Sequence, residues 1–399
     1  MSGQIDSLLE FMLAYAPNIS DLNFSVGRAP QVEVSGQLKE VPIKGLQRLS
    51  PYQTEQIALH LMHNDKVLIR KLLKQGSADL SYSIPGKTRF RVNIFSQRGT
   101  YSIVLRVIPN GVPTVKELGL PEQLNGIADE RNGIVLLTGP TGSGKSTTLA
   151  AVIDRINENK SYHIVTVEDP VEYMHRHKKA TINQREVGAD VPTFALALRA
   201  ALRQAPKVIL VGEMRDLETM EIALEAAETG HLVLSTLHTI DASKTVDRII
   251  GAFPRSEEQQ IRNRFSQTFK WVVSQRLVPR ADGKGRLAVC EILRSSPRTR
   301  EYIQQGESEG KSLTDAMGDG FLDGMQTFDM ELERLWREGA ITQETALSYA
   351  TNAPNLQLKM SGIAETGAAA KQAAAQGRAA SQFETPPAGG TDLKDLMEK

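Results

Sequence analysis

Residues 139–146 read GPTGSGKS, a complete match to the pattern G-x-x-x-x-G-K-[ST]. Every part of this pattern has a use if the ligand is a chain of phosphates. Gly139, Gly142 and Gly144 carry no Cβ, so the backbone can turn its N–H groups inward around an anion, with Pro140, Thr141 and Ser143 completing the loop. The segment that follows, KSTTLAAVI, reads as a helix, whose N-terminal end carries partial positive charge towards the same anion. Lys145 is a flexible cation for the β- and γ-phosphates. Ser146 offers a hydroxyl to Mg2+, and Thr147 follows it into the first helical turn. The ligands expected are ATP and Mg2+.

Three further stretches supply the groups that hydrolysis needs. VTVEDPVEY, residues 165–173, places Glu168, Asp169 and Glu172 at the C-terminal end of a predicted strand, the edge off which ligands bind in open α/β sheets. Glu168 can hold Mg2+ through water or orient the attacking water. The plainer alternative is a solvated acidic loop, with Asp169-Pro170 starting a turn. KVILVGEMRD, residues 207–216, ends a buried apolar strand at Gly212-Glu213, where a general base for water belongs. Glu213 is the residue chosen for that role, against the alternative of a strand-end glutamate in solvent. TGHLVLSTLHT, residues 229–239, sets His231 and His238 at opposite ends of one strand, which rules against a metal pair. Core or capping histidines are the default there. The sharper reading makes His238 a sensor of the γ-phosphate. His175 and His177, in EYMHRHKK, read as surface histidines of a basic loop.

The elements that must position these groups follow from the hydrophobic pattern. GIVLLTG, HIVTVED, KVILVGE and HLVLSTL are short apolar strands, each followed by helix, as a parallel sheet buried on both faces requires. The fold class is α/β. Residues 1–110 read differently, as a smaller α+β unit. An amphipathic helix carries Ile5, Leu8, Leu9, Met12 and Leu13 on one face, and strand-like pieces follow, broken by Gly27, Pro30 and Gly36. Then come a helical segment over residues 51–75 and antiparallel strands that turn at Arg98-Gly99. Residues 111–115 are read as a linker and 116–360 as the nucleotide-binding domain. That domain ends in the helical stretches FDMELERLWREG and TQETALSYATNAP, with Gly339 as a stop between them. Residues 361–399, rich in Ala, Gly, Gln and Pro, read as a flexible tail.

Composition narrows the functions. The 399 residues carry 47 basic and 47 acidic side chains, so the chain is no globally basic nucleic-acid coat. Only 5% of residues are aromatic and no stacking platform is evident, against a nucleic-acid translocase. The single cysteine, Cys290, excludes an intrachain disulfide and a four-cysteine zinc site, and fits a reducing compartment. No apolar run approaches the ~20 residues that span a bilayer, and Asp6 and Glu10 interrupt what would be a signal peptide.

Taken in order, GPTGSGKS, VEDPVEY, VILVGEMRD and TGHLVLSTLHT resemble the secretion ATPase superfamily of type IV pilus and type II secretion motors. SDLNFSVGRAPQVEVSGQL, FRVNIFSQRGTYSIVLRVIP, INQREVG and GMQTFDMEL are similar to its pilus retraction branch, PilT-like and PilU-like, over roughly residues 5–360. The resemblance implies a PAS-like N-terminal domain on a RecA-like ATPase core, in a homohexameric ring, with ATP between the two domains. It implies that arginines of the smaller domain, matched here by Arg98 and Arg106, reach the phosphates, and that His231 and His238 report nucleotide state to the neighbouring domain. It implies a motor for pilus retraction and twitching motility, cytoplasmic and peripheral to the inner membrane. Its partners there would be a platform protein and a paralogous motor ATPase, with neither nucleic acid nor direct membrane insertion. The second of two departures raises the reading of a PilU-like accessory or divergent paralogue, and an assembly ATPase is a further alternative. RQAPK stands where retraction ATPases carry RQDPD, and RTREYIQQGE is a weak counterpart of their AIRxGK motif.

Overall fold

The computed structural model of the chain describes residues 2–109 and 111–361. Its first sheet is antiparallel throughout. It comprises β1 (Ile19–Phe24), β2 (Gln31–Val34), β3 (Gln37–Glu40), β4 (Ser77–Ile84), β5 (Thr88–Gln97) and β6 (Thr100–Ile108), in the order β3-β2-β1-β6-β5-β4. The two residues joining β5 to β6, Arg98 and Gly99, have φ of 49° and 74°. Positive φ at both positions gives a turn whose twist matches that of the strands it joins. One face of this sheet buries Phe24, Phe90, Val92 and Leu105 with Leu9 and Met12 of helix Ser2–Leu13 and Leu61 of helix Pro51–Leu61.

The single helix expected over residues 51–75 is two. Ser50 and Gln53 start the first with a capping box. His63 and Asn64, at φ of 48° and 57°, then break the chain into the left-handed region. Asp65 restarts it, accepting from the Val67 N–H at 2.7 Å as N-cap of helix Lys66–Gln75.

The second sheet has β7 (Gly133–Thr138), β8 (His163–Glu168), β9 (Thr181–Glu186), β10 (Val208–Val211), β11 (Leu232–Leu237), β12 (Phe269–Pro279) and β13 (Arg286–Arg294), in the order β13-β12-β7-β11-β10-β8-β9. From β12 to β9 every pairing is parallel. Side chains alternate between its two faces. Ile134 and Leu136 of β7 enter the core under helices Leu217–Glu228 and Ala242–Ile250, whereas Val135 and Leu137 enter the core under helix Lys145–Asn159. The four apolar strands read from the sequence are the centre of this sheet. β9, β12 and β13 extend it on both sides.

Both sheets, apart from the last two residues of β12, belong to one compact unit, the chain up to Leu277 with Arg286–Thr327. A second unit comprises Val278–Gly285 and the helices from Phe328 onward. Within it, Gly339 at φ 71° follows helix Phe328–Arg337, as expected. The stretch TQETALSYATNAP contributes to two helices, Gln343–Tyr349 and Ala353–Met360. Glu331, almost fully buried, accepts two hydrogen bonds from the Arg334 guanidinium at 2.7 and 2.9 Å. The tail read at residues 361–399 lies, from residue 362, outside the described residues.

Candidate active site

Parallel pairing in register brings the C-terminal ends of β7, β8, β10 and β11 to one edge. Thr138 pairs with Leu237, and Val211 pairs with both Val167 and Ser235. The four loops singled out in the sequence therefore leave the sheet side by side and line a cleft of about 540 Å3.

The glycine-rich loop is held from beneath by β12. Gln275, fully buried there, donates from Nε2 to the Ser143 carbonyl at 2.7 Å and accepts from Thr148 Oγ1 at 2.8 Å. Thr138 Oγ1 donates to Ser274 Oγ at 2.9 Å. This contact explains two of the glycines. At Gly144, φ is 89° and an added methyl would lie 2.8 Å from Gln275 Nε2; at Gly139, φ is 139° and a methyl would strike the Gln275 carbonyl. Sequence reasoning missed Gln275, although its signal was present: Ser274 and Gln275 are polar residues inside the apolar run WVVSQRLV.

Lys145 is buried, and its Nζ donates to the Gly139 and Pro140 carbonyls at 2.9 and 3.0 Å. Burial pulls its pKa down, while the carboxylates of Glu172 and Glu213 pull it back up. Ser143 Oγ is buried with no hydrogen-bond partner among the described residues. Thr141, Gly142, Ser146 and Thr147 open on the cleft, and Thr147 Oγ1 lies 3.0 Å from the Tyr173 hydroxyl.

The acidic groups face this loop. Glu168 Oε1 accepts from Thr166 Oγ1 at 2.6 Å and from Gln184 Nε2 at 3.2 Å. Burial raises its pKa; the Thr166 and Gln184 hydrogen bonds and a backbone hydrogen bond from Glu172 oppose that, and the Glu172 charge adds to it. The Glu213 carboxylate, 13% exposed, pairs with Arg215 Nε at 2.7 Å and lies 3.5 Å from His238 Nε2. Arg215 and Arg286 also line the cleft, two cations that the sequence reading did not single out.

The other residues singled out in the sequence lie as follows. His231 does not reach the cleft. It sits at the opposite, N-terminal end of β11, with Nδ1 2.9 Å from the Ala226 carbonyl and 3.3 Å from Thr229 Oγ1. That is the capping role weighed as the default. Arg98 and Arg106 do not line the cleft either, and neither does any other residue of the six-stranded sheet. Arg98 is exposed in its turn, and Arg106 Nε donates to Asp21 Oδ1 at 3.1 Å. His175 is no surface histidine: its side chain is 3% exposed, 3.8 Å from Asp154. His177 is exposed, with Nδ1 accepting from the Ile182 N–H at 3.1 Å.

The burial of His175 has a measurable consequence. Burial lowers its pKa, with Asp154 opposing and Lys178 assisting. The unfolded chain therefore binds a proton at this ring more readily than the folded one. The stability it contributes is complete above the unfolded pKa of about 6.5 and is lost as pH falls towards the depressed folded value. In urea melts between about pH 7.5 and pH 5, His175→Phe is expected to flatten the acid-side loss of stability relative to wild type. Parallel curves for the two proteins would refute it.

Comparison with known proteins agrees with this fold. The family model described as "Type II/IV secretion system protein" matches residues 34–320. The type IV pilus retraction ATPase PilT of Pseudomonas aeruginosa is 44% identical over 330 residues, 82% of this chain and 93% of that protein. The type IV pilus ATPase PilU of the same organism is 40% identical over 370 residues, 93% of this chain and 95% of that protein. The crystal structure of the pilus retraction motor PilT with bound ADP has a TM-score of 0.79 and 41% identity, covering 88% of this chain and 98% of that one.

Proposed function

We infer the function from one premise: the chain belongs to the type II/IV secretion system protein family, on the branch of the pilus retraction ATPases. It is an ATPase that drives retraction of type IV pili and so twitching motility. The observation that carries the chemistry is that Lys145 and Glu213 line one cleft at the C-terminal edge of a parallel sheet.

The residues divide the work as follows. Backbone N–H groups of residues 141–147 and the helix that starts at Lys145 receive the phosphates. Lys145 exchanges two neutral carbonyls for phosphate oxygens, which offsets the cost of burying its charge. Among the described residues no three His, Cys, Asp or Glu side chains gather as a metal site. Mg2+ therefore fits as a companion of the phosphates, held by Ser146 Oγ and, through water, by Glu168. When bound, it neutralises charge on the phosphate oxygens. Glu213 takes the proton of the attacking water. Arg215 fixes one of its oxygens, and His238, within reach of the same oxygen, senses whether the γ-phosphate is in place. Arg98 and Arg106 can act only by movement of their sheet or from a neighbouring subunit, and Arg106 must first leave Asp21.

At the level of assembly we propose a homohexamer, with the six-stranded sheet as a PAS-like domain hinged at residues 111–115 on the RecA-like core. The ring works at the cytoplasmic face of the inner membrane on a pilus platform protein, beside a paralogous motor ATPase, with no nucleic acid. Among the described residues no helix is long and apolar enough to cross a membrane, which supports attachment through partners. In a strain lacking the gene, pili are expected to accumulate and twitching to stop, with the wild-type gene restoring both. Bald cells would instead identify an assembly motor. Unchanged piliation and motility would identify an accessory paralogue, a second reading that the extent of the PilU match supports.

A further inference from the structure

The motif INQREVG, residues 182–188, has no part in the chemistry above, yet its glutamate occupies an unusual position. Glu186 ends β9 and is the register partner of Glu168 across the β8–β9 pair. Its side chain is 7% exposed. One carboxylate oxygen accepts from Ser81 Oγ at 2.5 Å; the other accepts from Arg89 Nη2 at 2.7 Å and from the Val171 N–H at 3.2 Å. Ser81 and Arg89 belong to β4 and β5 of the six-stranded sheet, where Ser81 pairs with Arg91 and Arg89 with Ser83, so the two lie diagonally on that hairpin. Val171 lies in the loop that carries Glu168, Asp169, Glu172 and Tyr173 along the cleft wall. The Glu186 backbone N–H donates to Asp190 Oδ2 at 2.8 Å, which fixes the strand end.

A buried carboxylate needs its partners, because an unpaired charge inside a protein is strongly destabilising. Glu186 meets that need by joining three segments that sequence keeps apart. If the six-stranded sheet moves away, Arg89 and Ser81 leave, and the carboxylate must turn to water or to the one donor that remains, on the acidic loop. The bond that places the acidic loop therefore depends on the position of a sheet that contributes no residue to the cleft. Arg89 Nε, buried and without a hydrogen-bond partner among the described residues, fits a contact built to be remade rather than optimised for stability.

We propose that Glu186 is a positioning residue of the ATPase cleft, coupling the place of the six-stranded sheet, through Arg89 and Ser81, to the acidic loop, through the Val171 N–H. This deepens the ATPase reading and rests on it for the kinetic part. The test uses the full chain, with Arg89→Ala, Arg89→Lys, Glu186→Gln and the Arg89→Ala/Glu186→Gln pair. Expected for Arg89→Ala and Glu186→Gln is a fall in kcat of about 10- to 100-fold with KM for ATP held within about twofold, because the acidic loop is displaced and the phosphate loop is not. The double variant is expected to be no worse than either single, and Arg89→Lys to recover part of the loss. A second readout needs no turnover. With spin labels at Lys39→Cys on β3 and Arg155→Cys on helix Lys145–Asn159, both exposed positions, Arg89→Ala is expected to broaden the interlabel distance distribution. Wild-type kcat together with an unbroadened distribution in Arg89→Ala would overturn the coupling, as would additive losses in the double variant. A wild-type chain without ATPase activity would defeat the ATPase reading instead, and the distance measurement would still decide the contact.

Discussion

Glu213→Gln is expected to lower kcat by about 10²- to 10⁴-fold while ATP still binds, the range for removing a general base. Glutamine keeps the shape and one hydrogen-bonding oxygen but cannot take the proton from water. The barrier rises by about 3–5 kcal/mol if the whole effect is on the proton transfer. The fold has little at stake. Arg215, which loses its partner, is 73% exposed and finds water in place of the carboxylate. Lys145 keeps Glu172, the first of the two carboxylates that counter its desolvation. Phosphate release gives kcat, and a fluorescent ATP analogue gives affinity. Unaltered kcat would remove Glu213 from the chemistry and leave the accessory reading as the better one. A loss of affinity as large as the loss of rate would make it a binding residue instead.

That prediction was available from the sequence, and the reason is local. GPTGSGKS and the apolar strands around it are contiguous stretches, and a parallel sheet needs continuous apolar runs, so the central strands and the edge they end on were legible. β9 was not, because TINQRE is an edge strand with exposed and half-exposed polar residues, and nothing in its composition separates it from a loop. The break at His63 and Asn64 was missed because apolar spacing continues across it in KVLIRKLL. His175 was misplaced for a physical reason: burial of a histidine is set by what packs on it from elsewhere in the chain. Arg98 and Arg106 came from a resemblance to proteins that act as assemblies. A single chain shows their starting positions, an exposed turn and a pair with Asp21, and not where a moving sheet would take them.

Lys145→Met is expected to separate activity from stability. In the folded chain burial disfavours the charged ammonium, as the downward pull on its pKa records. The protein carries that cost at neutral pH without ligand. Methionine is nearly as long, apolar and flexible, so it fills the space and removes the desolvation. The opposing loss is the donor to the Gly139 and Pro140 carbonyls, each bond contributing about 1 kcal/mol, or more when the acceptor is left dry. Pro140 is exposed, so water replaces the donor there; the buried Gly139 carbonyl loses its partner, and that loss set against the relieved desolvation leaves the two effects nearly cancelled. The nucleotide-free variant is expected to melt at or slightly above the wild-type temperature. With ATP the two diverge. Wild type at 100 times its Kd gains about 2.7 kcal/mol from binding. The variant, without the cation for the β- and γ-phosphates, loses most of that gain, and its kcat falls by about 10²- to 10³-fold, as for removal of one preorganised donor. Thermal melts with and without ATP, alongside phosphate release, measure both. A nucleotide-free variant that melts far below wild type would show that Lys145 braces the loop rather than waiting in it. An undiminished ATP-induced shift would show that the phosphates are held elsewhere.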